Sequence, residues 1–169
     1  MAEGIVTADP RDTAWRVHEA VVDWTGKVDA KASFALTIES AALAGIVTLT
    51  GSGRRLDGLA GWEVGLFWAG ITTLLAAVLS VITVVAPRLR STKLPSEWQN
   101  NYVYFGHLMH WNAEDLQKAF EEGDPLPVVA RNILAMSKIA WTKHRRLQVS
   151  LWLATFGTSL VGVAALVNG

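Results

Sequence analysis

Cysteine is absent from the chain, which excludes a disulfide framework, a thiolate nucleophile and zinc held by cysteine. Net charge is absent as well, because 15 lysines and arginines balance 15 aspartates and glutamates. We therefore expect no bulk electrostatic attraction to nucleic acid and no nucleic-acid partner. Residues 1–15 lack a cationic start followed by an apolar run, so we expect no secretory signal peptide.

The sequence also lacks the patterns of a catalytic centre. It contains no glycine-rich phosphate loop, no serine nucleophile elbow and no pair of catalytic carboxylates, so we expect no catalytic residues and no enzyme. His107, His110 and Glu114 have the spacing of one helix face that could bind a metal. Asn112 indicates a helix break among them and no fourth ligand is evident, so we expect no metal site.

Three windows of the sequence contain almost no charge. Residues 64–86 and 147–167 have none, and residues 32–50 have only Glu39. A transmembrane helix needs about 20 mainly apolar residues to cross the hydrocarbon of a bilayer. The sequence therefore predicts an all-α membrane protein with three transmembrane helices, and a lipid bilayer as its partner.

Two of these spans are predicted to continue helices that begin in water. Asp9-Pro10 and Asp124-Pro125 are typical helix starts, because aspartate caps free N–H groups and proline suits the first helical position. No breaker separates either start from the span that follows. We expect both helices to form a small cytoplasmic bundle with a hairpin over residues 96–122, in which Trp98 to His110 is helical and Asn112 caps a helix to about Glu121.

Basic residues near the span ends predict the topology. Two lie before span one (Lys27 and Lys31), six between spans two and three, two in the first loop (Arg54 and Arg55) and none at the C-terminus, and this balance places the N-terminus in the cytoplasm of a multi-pass inner (plasma) membrane protein. The predicted order is a cytoplasmic N-terminal helix (1–31), transmembrane helix 1 (32–50), a short external loop (51–63), transmembrane helix 2 (64–86), a cytoplasmic helical segment (87–146) and transmembrane helix 3 (147–167).

Glu39 lies near the middle of span one, where an acid is rare and usually faces a bundle interior or a water cavity. If several chains assemble, a ring of such acids can line a path for cations. Alternatively, a protonated Glu39 bonds to Thr37, Ser40 or a neighbouring helix and only helps assembly. Small residues four apart favour close helix packing within or between chains, and we expect a homo-oligomer. These pairs are Ala41/Gly45, Gly65/Ala69 and Thr158/Gly162.

Three short motifs, placed against the spans, resemble one family. They are Val28-Asp29-Ala30-Lys31-Ala32-Ser33 at the start of span one, Tyr104-Phe105-Gly106-His107 followed by Asn112-x-x-Asp115, and Asn132 with Ser137-Lys138-Ile139-Ala140 and Lys143 before span three. In order and spacing they resemble the transmembrane effector of Pycsar, a bacterial anti-phage system that signals with cyclic pyrimidine nucleotides. The resemblance covers roughly residues 15–167.

The resemblance implies a function. A partner cyclase makes cyclic CMP or cyclic UMP on infection, the effector responds, the inner membrane is impaired, and the cell dies or stops growing before phage can multiply. A cyclic pyrimidine nucleotide is then the activating ligand, and no cofactor is expected. From the residues alone, a nucleotide-independent scaffold or holin-like pore subunit stays open. A small ion transporter using Glu39 would need inverted repeats or a second intramembrane charge, and neither is visible.

Asp29, Lys31 and Lys143 are the candidate nucleotide-binding residues. Lysine can meet a cyclic phosphate and aspartate can accept from a ribose or base; the resemblance adds Lys143. Alternatively, Lys31 reaches lipid headgroups and Asp29 pairs with a nearby basic residue.

Two larger groups of residues also have two interpretations each. The basic belt, which binds anionic lipid or a phosphate, comprises Lys143, Arg145, Arg146, Arg88 and Arg90. The aromatic residues, which stack on a pyrimidine or form apolar core, are Trp98, Tyr102, Tyr104, Phe105 and Trp111.

Overall fold

The computed structural model describes residues 9–87 and 97–168, and in these ranges it contains helices and no strand. The elements are α1 (Pro10–Leu49), α2 (Trp62–Val85), a 3₁₀ helix (Trp98–Asn100), α3 (Phe105–Leu108), α4 (Ala113–Glu122) and α5 (Pro125–Val167). Helices α1, α2 and α5 are each long and apolar enough to cross a membrane. The predicted all-α membrane protein with three transmembrane helices is confirmed.

Helices α1 and α5 each run without a break from a polar segment into a span, as the sequence predicted. The Asp9 carboxylate accepts the Arg11 N–H at 2.9 Å, and the Asp124 carboxylate accepts the Leu126 N–H at 3.2 Å. Each aspartate thus satisfies an N–H group that the first turn leaves free. The first residue of the predicted 96–122 hairpin, Ser96, and the basic residues Arg88 and Arg90 lie outside the described residues.

The chain divides into two compact units. The span unit comprises Lys27–Ala86 and Trp141–Gly169, and the aqueous unit comprises Met1–Gly26 and Pro87–Ala140. Both α1 and α5 contribute residues to each unit, because their ranges include the unit boundaries.

In the span unit, successive buried positions on each helix are three, four or seven residues apart, which corresponds to a period of about 3.5 residues. This 3.5-residue period is the one that packs helices side by side at a small crossing angle. The buried positions are Val28, Ala32, Ala35, Glu39 and Ile46 on α1; Gly70, Leu74, Ala77, Val81 and Val84 on α2; and Leu147, Ser150, Gly157, Val161 and Ala164 on α5.

At two glycines, α2 and α5 pack closely against each other. A Cβ atom added at Gly70 would lie 2.6 Å from Val161 Cγ2 and 2.8 Å from the Gly157 carbonyl oxygen. A Cβ added at Gly157 would lie 2.9 Å from the Gly70 carbonyl oxygen. Because lipid offers no hydrophobic drive between helices, such backbone-to-backbone packing is an important source of association in a membrane.

The loop between α1 and α2 folds back onto the helix ends. Leu56 is buried in it, and its N–H donates to the Leu49 carbonyl at 3.0 Å. The Asn168 side-chain amide donates to the carbonyls of Arg55 and Asp57 at 3.2 and 3.0 Å. The end of α5 is therefore tied to this loop by two hydrogen bonds.

The aqueous unit departs from the sequence prediction over Trp98 to His110. In place of the expected single helix, the structure has a 3₁₀ turn, extended backbone at Asn101 and Tyr104, and the four-residue α3. The Trp111 indole N–H donates to the carbonyls of both Trp98 and Asn101, each at 3.1 Å. A continuous helix would use those carbonyls itself, so this contact favours the break. The predicted cap at Asn112 is confirmed: its side chain accepts the Asp115 N–H at 2.8 Å.

We expect Gly70→Ala to destabilise the span unit by about 1–3 kcal/mol, because the new methyl group meets backbone atoms that cannot move aside. Gly65→Ala is the matched control on the same helix, since nothing lies within 4 Å of a Cβ added there. Thermal unfolding in detergent measures both. Equal melting temperatures for the two variants would contradict the close α2–α5 contact.

Candidate functional site

An ion pair joins α1 and α5 at the start of the spans. Lys143 Nζ donates to both carboxylate oxygens of Asp29, at 2.6 and 2.8 Å. The Lys143 side chain is 18% exposed and that of Asp29 is 41% exposed, so the pair is partly shielded from water. Asp29 directly follows the buried Val28, and Lys143 lies between Ala140 and Leu147 at the same three-to-four spacing. Helix packing therefore brings the two charges together.

Lys31 is not part of this pair. Two residues along a helix correspond to a rotation of about 200°, so Lys31 lies on a different face of α1 from Asp29, and it is exposed. Of the three candidate nucleotide-binding residues, the structure brings two together and leaves the third apart. A phosphate that bound Lys143 would have to compete with the Asp29 carboxylate for its ammonium group.

Glu39 is buried inside the span unit, at 2% exposure. Its Oε1 atom lies 2.5 Å from the hydroxyl of Ser150 on α5, and that hydroxyl lies 3.0 Å from the carbonyl of Ala77 on α2. One polar layer thus links all three helices. It lies between two apolar clusters, one including Val81 and Leu147 and the other Leu74 and Val161. Ser150 was not predicted as a partner of Glu39, although the spacing of buried positions on α5 includes it.

Counting hydrogens in this layer indicates a neutral Glu39. The Ser150 hydroxyl has one hydrogen and two neighbouring acceptors. A protonated Glu39 donates to Ser150 Oγ, which frees the serine hydrogen for the Ala77 carbonyl. An ionised Glu39 would instead bury a charge whose second oxygen, Oε2, has no hydrogen-bond partner among the described residues. Of the partners considered for a protonated Glu39, the structure therefore has the neighbouring helix. Thr37 donates to the Ser33 carbonyl of its own helix instead.

The three small-residue pairs expected to pack closely lie on the outside of the described chain. Gly45, Gly65 and Gly162 are exposed and have nothing within 4 Å of an added Cβ atom. Within the chain, close packing uses Gly70 and Gly157 instead. The exposed pairs are consequently available only to lipid or to another chain.

The residues suggested by the sequence as metal ligands, stacking aromatics and a basic belt are more widely spread in the structure than Asp29 and Lys143. Among residues 9–87 and 97–168 no three His, Cys, Asp or Glu side chains come together to hold a metal ion, and α3 ends at Leu108, before His110 and Glu114. Four of the five aromatic residues are half-buried, and Trp98 packs edge-on against Trp111 at 5.2 Å. Phe105 is 64% exposed. Arg88 and Arg90 of the basic belt lie outside the described residues.

Comparison with known families gives one match. A family model described as "Pycsar effector protein domain" matches residues 13–168. No curated protein and no solved structure matches the chain.

We expect Ser150→Ala to destabilise the span unit by about 1–3 kcal/mol, because it removes the only described partner of a buried carboxyl group. Glu39→Gln should remain close to wild type, since the amide can donate to Ser150 Oγ. Ser159→Ala is the matched control, because Ser159 is exposed and bonds only within its own helix. Thermal unfolding in detergent distinguishes these cases. A Ser150→Ala variant as stable as Ser159→Ala would argue against the polar layer.

Asp29 and Lys143 should show energetic coupling in a double-mutant cycle. Asp29→Asn and Lys143→Met, singly and combined, are expected to give a coupling of about 1 kcal/mol at low salt, which decreases as salt rises. The same cycle with Lys31→Met in place of Lys143→Met should give none. Strictly additive effects for Asp29 and Lys143 in detergent unfolding would contradict the ion pair.

Proposed function

The chain belongs to the Pycsar effector family, and from this premise we propose that it is the membrane effector that a cyclic pyrimidine nucleotide activates. The family match supports an anti-phage effector role in a system with a partner cyclase. Our proposal adds that the ligand is cyclic CMP or cyclic UMP, that the membrane is the inner membrane with the N-terminus in the cytoplasm, and that the effector impairs that membrane in abortive infection. The proposal assigns it no enzymatic activity.

The observation that carries the proposal is the continuity of α1 and α5. Each helix contains both a polar segment and a span, without a break between them. A ligand that favours one packing of the polar segments shifts the population of conformations, and each of the two helices continues without a break from its polar segment into its span.

Impairment of the membrane, in this proposal, involves several chains. The exposed small residues on the spans permit close approach by the helices of a second copy, which fits a homo-oligomer. In the resting chain Glu39 faces the interior of its own three helices. A path for ions lined by Glu39 would therefore require Glu39 to move away from Ser150.

Purified protein in liposomes that contain a fluorescent dye tests the proposal. We expect dye release on adding cyclic CMP or cyclic UMP to the side bearing the N-terminus, and little release with cyclic AMP. Release without any nucleotide would favour the holin-like alternative, and no release under any condition would contradict the proposal.

Glu39→Gln tests the role of the polar layer in the same assay. If an ionisable Glu39 contributes to the path, nucleotide-dependent release should decrease severalfold while the variant stays folded. Unchanged release would remove Glu39 from the mechanism. Ser159→Ala serves as the control.

A further inference from the structure

The aqueous unit contains an open cavity of about 470 Å³, within the range of small-molecule sites. It lies between the 3₁₀ helix with the segment after it, the end of α4 and the first turns of α5. Its polar lining includes Glu97, Gln99, Asn100, Tyr102, Asp124 and Arg131. Tyr102 was considered as a stacking residue and Asp124 as part of a helix start; the other residues were not predicted to bind a ligand.

Arg131 supplies the positive charge of this cavity. Its guanidinium makes one described hydrogen bond, from Nη2 to the Asn100 carbonyl at 2.9 Å. An arginine has five N–H donors in a planar arrangement that matches two oxygens of a phosphate. Most of its donors are therefore available to an anion in the cavity.

The amide side chains of Gln99 and Asn100 line the same cavity. Among the described residues neither amide group has a hydrogen-bond partner. An amide offers both a donor and an acceptor, which is what the polar edge of a pyrimidine base requires. The neighbouring Tyr102 ring is held edge-on against Phe120 at 5.2 Å and gives the cavity an aromatic wall.

The acidic groups of the cavity are partly compensated. Arg11 lies 3.4 Å from the Asp124 carboxylate and offsets its charge, which reduces the repulsion of a bound anion. Burial raises the pKa of the Tyr102 phenol, and the Asp124 carboxylate raises it further. Tyr102 therefore stays uncharged and able to donate a hydrogen bond. A carboxylate in such a cavity can accept from a ribose 2′-hydroxyl, as in dinucleotide sites.

We propose that this cavity is the binding site for the cyclic pyrimidine nucleotide. Arg131 binds the cyclic phosphate, the amides of Gln99 and Asn100 bond to the base, and Glu97 or Asp124 accepts from the 2′-hydroxyl. The pyrimidine identity rests on the proposed function; the cavity itself provides the partners for phosphate, base and hydroxyl. This assignment makes the Asp29–Lys143 pair a contact between helices and not the nucleotide site.

The site also explains how binding could reach a span. Arg131 and the buried Val128 lie on α5, and Arg131 bonds to the Asn100 carbonyl of the preceding segment. A phosphate bound by the free donors of Arg131, together with a base bound by Asn100, would add contacts between α5 and that segment. The change is imposed on the helix that contains span three.

Equilibrium binding of radiolabelled cyclic CMP and cyclic UMP to the full chain in detergent tests the proposal. We expect Arg131→Gln to weaken binding about 10- to 100-fold, with partial retention in Arg131→Lys, which keeps the charge. Arg16→Gln, an exposed arginine of α1 outside the cavity, should bind as wild type. Asn100→Ala is the second variant, expected to weaken binding severalfold, in case Arg131→Gln impairs folding.

The outcomes separate this site from the proposed function. Normal binding by both Arg131→Gln and Asn100→Ala overturns the cavity assignment and leaves the proposed function intact. If Lys143→Met then abolishes binding, the nucleotide binds at the Asp29–Lys143 pair. If the wild-type chain binds neither nucleotide, both proposals fail. Weaker binding by the cavity variants, with Lys143→Met and Arg16→Gln unchanged, supports the assignment.

Discussion

Hydrocarbon offers no hydrogen bonds, and this constraint determines most of what the span unit does with its polar groups. Hydroxyl groups such as those of Thr37, Thr72 and Thr155 donate to carbonyls of their own helix and need nothing from lipid. Glu39 cannot do this and is instead placed against Ser150, whose hydroxyl also contacts the Ala77 carbonyl. The same constraint favours unbroken helix in the spans of α1 and α5, because a break in lipid would leave backbone groups without partners.

The second constraint is geometric. Buried positions with a period of about 3.5 residues specify which face of each helix meets the others. Glu39, Ser150 and Val28 occupy such positions, and the half-buried Lys143 lies between Ala140 and Leu147 at the same spacing. The polar contacts between helices are therefore part of the packing pattern, and each one depends on the apolar residues above and below it.

Much of the architecture follows from local sequence. Windows without charge predict the spans, and Asp9, Asn112 and Asp124 predict helix starts, because each of these features depends on neighbouring residues. The broken segment after Trp98 was not predictable in this way, since the Trp111 indole N–H donates to carbonyls ten and thirteen residues earlier in the chain. Likewise, small residues four apart occur on several faces, and their spacing alone does not identify Gly70 and Gly157 as the pair that meets. The partners of Glu39 and Asp29 are more than a hundred residues distant.

The neutral polar layer has a consequence for how the resting protein responds to membrane voltage. An electric field across a bilayer does work only on charge, at about 2.3 kcal/mol per elementary charge for each 100 mV. With its proton in place, Glu39 adds no net charge to the middle of the spans for the field to act on. Loss of that proton would create a single negative charge near mid-membrane. The membrane potential would then act on this charge and shift the conformational equilibrium of the protein.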